Sequence, residues 1–420
     1  MGMRRMKRVS YRLSSYSSDL FGVASALFEL GGLTVIHDAS GCNSTYTTHD
    51  EPRWYDMDSM VYISALTESD AVMGNDRKLI EDIIKTAEES KPKFIAITSS
   101  PLPMIMGTDF KGIARIIQKH TRIETMGFNT NGMNTYDVGI AESLSELALR
   151  FCKKDAQSGI ISGTAATAKT GTTSDPARKT GAKKINLLGL TPLDFSINGN
   201  TEELKKYYES IGYKVLSTWA MGNTLEELIY GAKNADLNIA VTTAGIKIAE
   251  TLKEIYGTPY IAECPVGKDF HKSKTLSKTG TRSEKIVIIG EGIISLGLKK
   301  CLLNEFNFKD VIIISPLKLS SLILSKEEFL QKNELILNQN FFTTDEEEDI
   351  EQIVQNADII IADPLYERII SYGKPCGKNS TCAQKKFIPF AHEAYSGRIF
   401  HKTLPVFIAE HATEWLKKFF

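Results

Sequence analysis

A single pattern limits what this chain can fold into: a short apolar run, then an amphipathic helical stretch, repeated over most of 420 residues. It is cleanest between residues 184 and 264. There "KINLLGL", "YKVLSTWA", "LNIAVTT" and "PYIAEC" are strand-like. Between them, "NTEELKKYYESIG", "NTLEELIYGAKNAD" and "GIKIAETLKEIYG" carry apolar residues at helical spacing. Asn200 with Glu203, and Asn223 with Glu226, have the spacing of capping-box starts, and Gly212 closes the first of these helices. Strands that read as continuous apolar runs belong to parallel sheets covered on both faces.

The same alternation flanks this block. Upstream, Ser18 or Asp19 caps "LFGVASALFEL", a strand is expected over residues 34–36, and "NDRKLIEDIIKTAEE" is a striped helix before the strand "KFIAITSS". Downstream come "KIVIIGEGIISLGLKKCLL", "DVIIIS", the helix "DEEEDIEQIVQNAD" and the strands "IIIAD" and "KFIPF". Residues 153–184 are small and polar, unable to bury enough surface to offset their ordering entropy. The stretch "KDFHKSKTLSKTGTRSE" makes a second polar break. The pattern therefore predicts an α/β protein of three Rossmann-like domains with mainly parallel sheets around a central cleft. Their expected bounds are 1–152, 185–270 and 271–420, with 153–184 as linker.

Composition removes several functions. A formal net charge of −1 gives no basic footprint for nucleic acid. No run approaches the roughly 20 apolar residues of a membrane span, and the basic start lacks the apolar core of a signal peptide. A cytoplasmic location is expected. Six cysteines are too few for a disulfide scaffold, and none forms a CxxC pair, which argues against a self-contained zinc or ferredoxin-type site.

Four features invite chemistry. In "TVIHDASGCNSTYTTHDEPRW", Cys42 sits in a small-residue turn after a strand, with His37, His49, Asp50 and Glu51 around it; Gly41 lets the backbone approach something bulky. Residues of this kind suit a metal ligand or a nucleophile. "FIPFAHEAYSGRIF" places His392 just past a strand, where open sheets bind ligands, although a structural histidine reads equally from spacing. "VIIGEGIISLG" has Gly290, Gly292 and Gly297, but its third glycine is one position late for a dinucleotide turn. Cys376 and Cys382 lie in a polar loop, as incidental thiols, a regulatory disulfide or a metal contact. Cys152, Cys264 and Cys301 fall in or beside apolar segments and are expected in the core.

Several of these stretches together resemble one family. "IHDASGC" is similar to the His-Gly-x-x-Gly-Cys turn of nitrogenase component 1 subunits and their relatives, which include the dark-operative protochlorophyllide reductase and cofactor-assembly scaffolds. "SALTESDAVMGNDRKLIEDI", "ITSSPLPMIMGTDF", "IAETLKEIYGTPYIAECPVG" and "IPFAHEAYSGRI" resemble further segments of that family, so the likeness runs through most of the chain.

The resemblance implies an iron–sulfur cluster at a subunit interface, with Cys42 as the matching ligand. The family's other two cysteines would fall near Ser17 or Ser18 and near Pro101, where this chain has no thiol. A four-iron cluster shared across a dimer would need two copies of Cys42 or a homologous subunit's cysteines. A second metal cofactor is held in the catalytic relatives by a cysteine and a histidine. The cysteine position falls within residues 241–243, "VTT", and His392 is the counterpart of the histidine. The missing cysteine argues against dinitrogen; a tetrapyrrole-like substrate is an alternative. The implied activity is that of a reductase component, with His392 catalytic. It would be served by an ATP-dependent iron protein and work as a homodimer or α/β heterodimer. The alternative is a non-catalytic scaffold or partner subunit.

Overall fold

The computed structural model describes residues 10–39, 51–154, 181–271, 282–325, 340–371 and 385–420. Cys42, His49, Asp50, Cys376 and Cys382 lie outside the described residues, as does most of the expected linker. Thirteen strands among the described residues form three sheets in which every pairing is parallel. The first sheet holds β1 (Leu33–His37), β2 (Met60–Ile63), β3 (Ile95–Ser99) and β4 (Thr125–Gly127), in the order β2-β1-β3-β4. The second holds β5 (Lys183–Leu188), β6 (Tyr213–Thr218), β7 (Leu237–Ala240) and β8 (Tyr260–Ala262), in the order β6-β5-β7-β8. The third holds β9 (Arg282–Ile289), β10 (Phe308–Ser315), β11 (Phe341–Thr343), β12 (Ile359–Ala362) and β13 (Lys386–Pro389), in the order β11-β10-β9-β12-β13. The expected fold class is thus found. β1, β3, β7 and β12 are buried at every position, which is why their sequences do not alternate. Among the described residues, no helix is long and apolar enough to cross a membrane.

Each sheet reverses its strand order once, between β1 and β3, β5 and β7, and β9 and β12. At such a switch point the loops leaving the carboxyl ends diverge and open a crevice. In the second and third sheets these loops carry the polar residues described below.

Helix ends follow local chemistry, with two corrections. The helix Asp76–Ser90 starts where the Asn75 side chain accepts from Lys78 N–H, and buries Leu79, Ile83 and Ala87. The helix Leu225–Asn234 is capped one residue later than Asn223: Thr224 and Glu227 form the capping box. Asn200 does not cap the helix Asn200–Ser210 either, because Gly199 precedes it. Its amide instead donates to Phe195 O at 3.0 Å and its Oδ1 accepts Phe407 N–H at 2.9 Å, tying the second sheet's loops to the C-terminal segment.

The three units share their cores. Val23, Leu27, Ile140 and Leu144 of the first pack with Leu228, Ile248 and Leu252 of the second. Ile185, Leu187 and Ile239 of the second pack with Ile286, Ile288 and Phe308 of the third. Residues 10–18, expected in the first unit, cross to the third: Arg12 pairs with Glu347 at 2.8 Å and Glu351 at 2.7 Å, and Leu13 and Tyr16 join its core. Two helices fix the return of the chain. In α1 (Asp19–Leu27) a Cβ on Gly22 would lie 2.0 Å from Tyr136 O; in α2 (Tyr136–Leu147) one on Gly139 would lie 1.9 Å from Asp19 O. Only paired glycines allow backbones this close.

Candidate functional site

His392 follows β13 and begins the one-turn helix Glu393–Ser396. Its backbone N–H donates to Asp363 Oδ2 at 2.9 Å, and Ser396 Oγ donates to the same oxygen at 2.7 Å. Asp363 terminates β12, so two neighbouring carboxyl-end loops of the third sheet are locked together.

The His392 ring is buried where all three units meet. Its Nε2 is 3.1 Å from Asp194 Oδ1 and 3.3 Å from the Tyr136 hydroxyl. Tyr136, the first residue of α2, also donates to Asp194 Oδ1. Asp194 lies in the one-turn helix Pro192–Phe195 beyond β5. Burial, with the Asp194 charge second, pushes the Tyr136 phenol well above its ordinary pKa, so it remains a donor. Tyr16 packs edge-on to His392 with ring centroids 5.5 Å apart. His392 Nδ1 is buried and has no hydrogen-bond partner among the described residues.

A second carboxylate stands nearby. Glu291 follows β9, accepts from Thr243 N and Ile294 N at 2.8 Å each, and caps the helix Gly292–Glu305. Burial, then repulsion from Asp194, raises its pKa to about 7. Burial likewise pushes up the Cys264 thiol. A parallel contact joins the same loops: Ser196 Oγ donates to Glu393 Oε1 at 2.8 Å, and His401 Nδ1 meets that oxygen too. Ser196 holds a left-handed φ of 53° there, a conformation that costs energy and persists because its surroundings impose it.

A cleft of about 690 Å³ opens beside the junction. Ser14, Tyr16, Ser17, Met133, Lys318 and Tyr395 are among its walls. His392 is not among them; its ring packs behind that of Tyr16, which is. Arg398, six residues beyond His392, lies over the Tyr55 ring. Lys318 Nζ donates to two neutral oxygens, Met133 O and Asn134 Oδ1, at 3.1 Å each.

Around the Cys42 turn, two of the four polar neighbours serve the fold. His37 Nδ1 is 2.7 Å from Ser64 Oγ, and burial lowers its pKa. Glu51 is fully buried against Arg53 at 2.7 Å, and Arg53 also reaches Glu29 at 2.8 Å. Ser17 and Ser18 line the cleft, and a Cβ on Gly132 in the same cleft would lie 2.7 Å from Pro101 Cδ. The two positions where the resemblance would place further cluster ligands are therefore neighbours at the cleft's edge. They carry hydroxyls and a proline, and among the described residues no group of three or more His, Cys, Asp or Glu could hold a metal ion. Residues 241–243 bring no thiol to His392; Thr243 N–H faces Glu291. Cys152, Cys264 and Cys301 are buried, as expected.

Sequence reading did not single out Tyr136, Asp194, Glu291 or Asp363. Three had a usable signal: Asp194, Glu291 and Asp363 are acidic residues within a few positions of an apolar strand's end, where sheets place ligand-binding loops.

Residues 18–272 match the family described as Nitrogenase component 1 type Oxidoreductase. A light-independent protochlorophyllide reductase chain of Synechococcus sp. (strain JA-3-3Ab) is 25% identical over 195 residues, 46% of this chain and 36% of that protein. The nitrogenase molybdenum-iron protein alpha chain of Clostridium pasteurianum is 27% identical over 210 residues, 50% of this chain and 35% of that protein. The chain thus spans about a third of the length of the curated relatives it matches. Among solved structures, one described as "Nitrogenase Cp1 at pH 6.5" superposes with a TM-score of 0.63 at 14% identity, covering 99% of this chain and 94% of that one. That likeness shows the fold.

Proposed function

The chain belongs to the nitrogenase component 1 type oxidoreductase family, and on that premise we propose that it is the reductase component of a nitrogenase-like system whose substrate is not dinitrogen. Its electron donor is an ATP-dependent iron protein. It works as a dimer with a second copy or a homologous subunit. Cys42 would hold an iron–sulfur cluster of four-iron type together with thiolates of that partner; when bound, the cluster supplies one-electron transfer. Of the two points of attachment for a second metal cofactor, the Nδ1 of His392 is buried behind the cleft wall rather than open to it. The absence of a thiol at residues 241–243 does not fit the other, which is the ground for setting dinitrogen aside.

The observation that carries the reading is the convergence of the carboxyl-end loops of the second and third sheets on one junction beside a cleft of about 690 Å³. Small-molecule sites are typically about 300–1,000 Å³ and favour such switch points. A tetrapyrrole-like compound is the favoured substrate class: one relative is named as part of a protochlorophyllide reductase, and the cleft offers tyrosine faces for a flat ring and Lys318 for an acidic group. Tyr16 and Tyr395 form the wall nearest the junction.

Anaerobic purification with iron and sulfide analysis, followed by ATP-dependent reduction with a nitrogenase-type iron protein, tests the proposal. Bound iron and sulfide that are reduced in that assay are expected; a chain with neither overturns the redox reading. A chain that binds both and is not reduced is the scaffold or partner subunit, the second reading, which the lone matched thiol at Cys42 favours.

A further inference from the structure

A recess of about 410 Å³ lies between the first and second units. Its walls come from the edge strand β4, the helix Phe110–Thr121, α2 and the helix Ala244–Tyr256. It shares no lining residue with the cleft described above, and its volume falls within the range of small-molecule sites. Two features of the walls point to a ligand. Ser145, on α2, is 3% exposed, and its Oγ is buried without a hydrogen-bond partner among the described residues. A helical serine can give its proton to a carbonyl one turn back; Ser143 does so to Ile140 O at 3.1 Å, and Ser145 does not. A buried hydroxyl left open costs free energy unless something pairs with it. Beyond Leu147 the helix continues as a single π-helical turn, Ala148–Cys152, which brings Leu149 and Arg150 to the recess. Such turns are rare and frequently mark functional sites.

The charges of the walls do not balance. Four cations and two carboxylates line the recess. Glu146 is paired with Arg150 at 2.8 Å, and Glu142 with Lys247 at 3.1 Å. Lys111 forms no ion pair among the described residues. Arg115 has only Asp109, 4.0 Å away, and both side chains are more than two-thirds exposed, so that contact is worth little. Lys111 and Arg115 stand four residues apart on the helix Phe110–Thr121, hence on one face of it. Two positive charges are thus left side by side at the rim, while the open hydroxyl of Ser145 lies at the floor. A peptide strand is not the occupant that β4 favours, because Gln118 Oε1 already accepts the outward Thr125 N–H at 3.3 Å.

We propose that this recess binds a small phosphomonoester of mononucleotide size or less. Lys111 and Arg115 hold its phosphate, the organic body lies against Leu149, and a hydroxyl of that body pairs with Ser145 Oγ. A phosphate monoester carries about −1.5 to −2 charges near neutral pH, which matches two unpaired cations better than a single carboxylate does. The guanidinium of Arg115 offers the planar fork that suits phosphate oxygens, and Lys111 adds a point charge. The site is separate from the redox reading above and stands or falls without it.

Isothermal titration calorimetry on the full chain tests this, with AMP and ribose 5-phosphate as probes and adenosine and inorganic phosphate as controls. At least one probe is expected to bind with a Kd below about 1 mM, and both controls about tenfold more weakly or worse. The double variant Lys111→Ala with Arg115→Ala removes two exposed side chains. It should keep the wild-type melting temperature and weaken the probe about tenfold or more. Ser145→Ala should weaken the probe by about tenfold while its melting temperature stays level or rises, since an unpaired buried hydroxyl is gone. A merely structural serine would instead lower the melting temperature and leave the affinity alone. The proposal is overturned if neither probe binds, if inorganic phosphate binds as tightly as the probes, or if the double variant binds like the wild type. A Ser145→Ala protein with unchanged affinity overturns the placement of the organic body.

Discussion

Gly139→Ala tests whether the crossing of α1 and α2 is what brings Tyr136 to the junction. The added methyl would lie 1.9 Å from Asp19 O and 2.7 Å from its carbonyl carbon. Both atoms are backbone and cannot rotate aside. The helices must part until 1.9 Å becomes at least 3.0 Å, the closest that real Cβ contacts come. Asp19 resists, because its carboxylate accepts from Asn131 N, Gly132 N and Asn134 Nδ2 at 2.9–3.2 Å. Alanine gains about 1 kcal/mol of helix propensity. Overpacking costs typically 1–3 kcal/mol, and here the cost lies at the upper end because no side chain can yield. A net loss of about 2 kcal/mol follows, roughly 4–8 °C in Tm at about 2–4 °C per kcal/mol for a unit of this size. Thermal unfolding by circular dichroism measures it, and Gly22→Ala, which would approach Tyr136 O at 2.0 Å, should match it. A Gly139→Ala protein that melts with the wild type would refute the reasoning.

Other perturbations have defined outcomes. Glu291 has a folded pKa of about 7 against an ordinary 4.5. A raised carboxyl costs nothing while both states are protonated, and the cost grows as pH climbs from about 4.5 to 7, reaching ~3 kcal/mol. The stability difference between wild type and Glu291→Gln should therefore shift towards the variant between pH 4 and pH 8 in urea titrations; a pH-independent difference would contradict the burial argument. Arg53→Met leaves Glu51 buried without its cation and should destabilise by about 3–5 kcal/mol, read as a lower urea midpoint. Cys42→Ala should abolish iron–sulfur absorbance, while Cys301→Ala, a buried thiol, should cost on the order of 1 kcal/mol and keep the spectrum. Equal full spectra from both variants would remove Cys42 from the metal site.

The sequence by itself determined the elements and their class. Continuous apolar runs such as "IIIA" at residues 359–362 can be satisfied only by cover on both faces, and β12 is buried at every position. It also determined that Cys152, Cys264 and Cys301 would be buried, since their neighbours are apolar. Helix starts were legible to within a residue: the box sits at Thr224 and Glu227 rather than Asn223 and Glu226, because two overlapping polar residues compete for one cap. His392 was legible as a residue at a strand's end, but its partners were not. Tyr136, Asp194 and His392 lie 58, 198 and 256 positions apart in pairs, and no local periodicity reports on separations of that size. Which loops meet is set by how whole units pack: the crossing at Gly22 and Gly139, the shared cores, and residues 10–18 spanning from the first unit to the third. Burial direction is written in neighbouring residues, because a helix or strand repeats every few positions. The meeting of carboxylate, phenol and imidazole was decided by the tertiary structure, because only the packing of distant surfaces fixes which buried polar groups must satisfy one another.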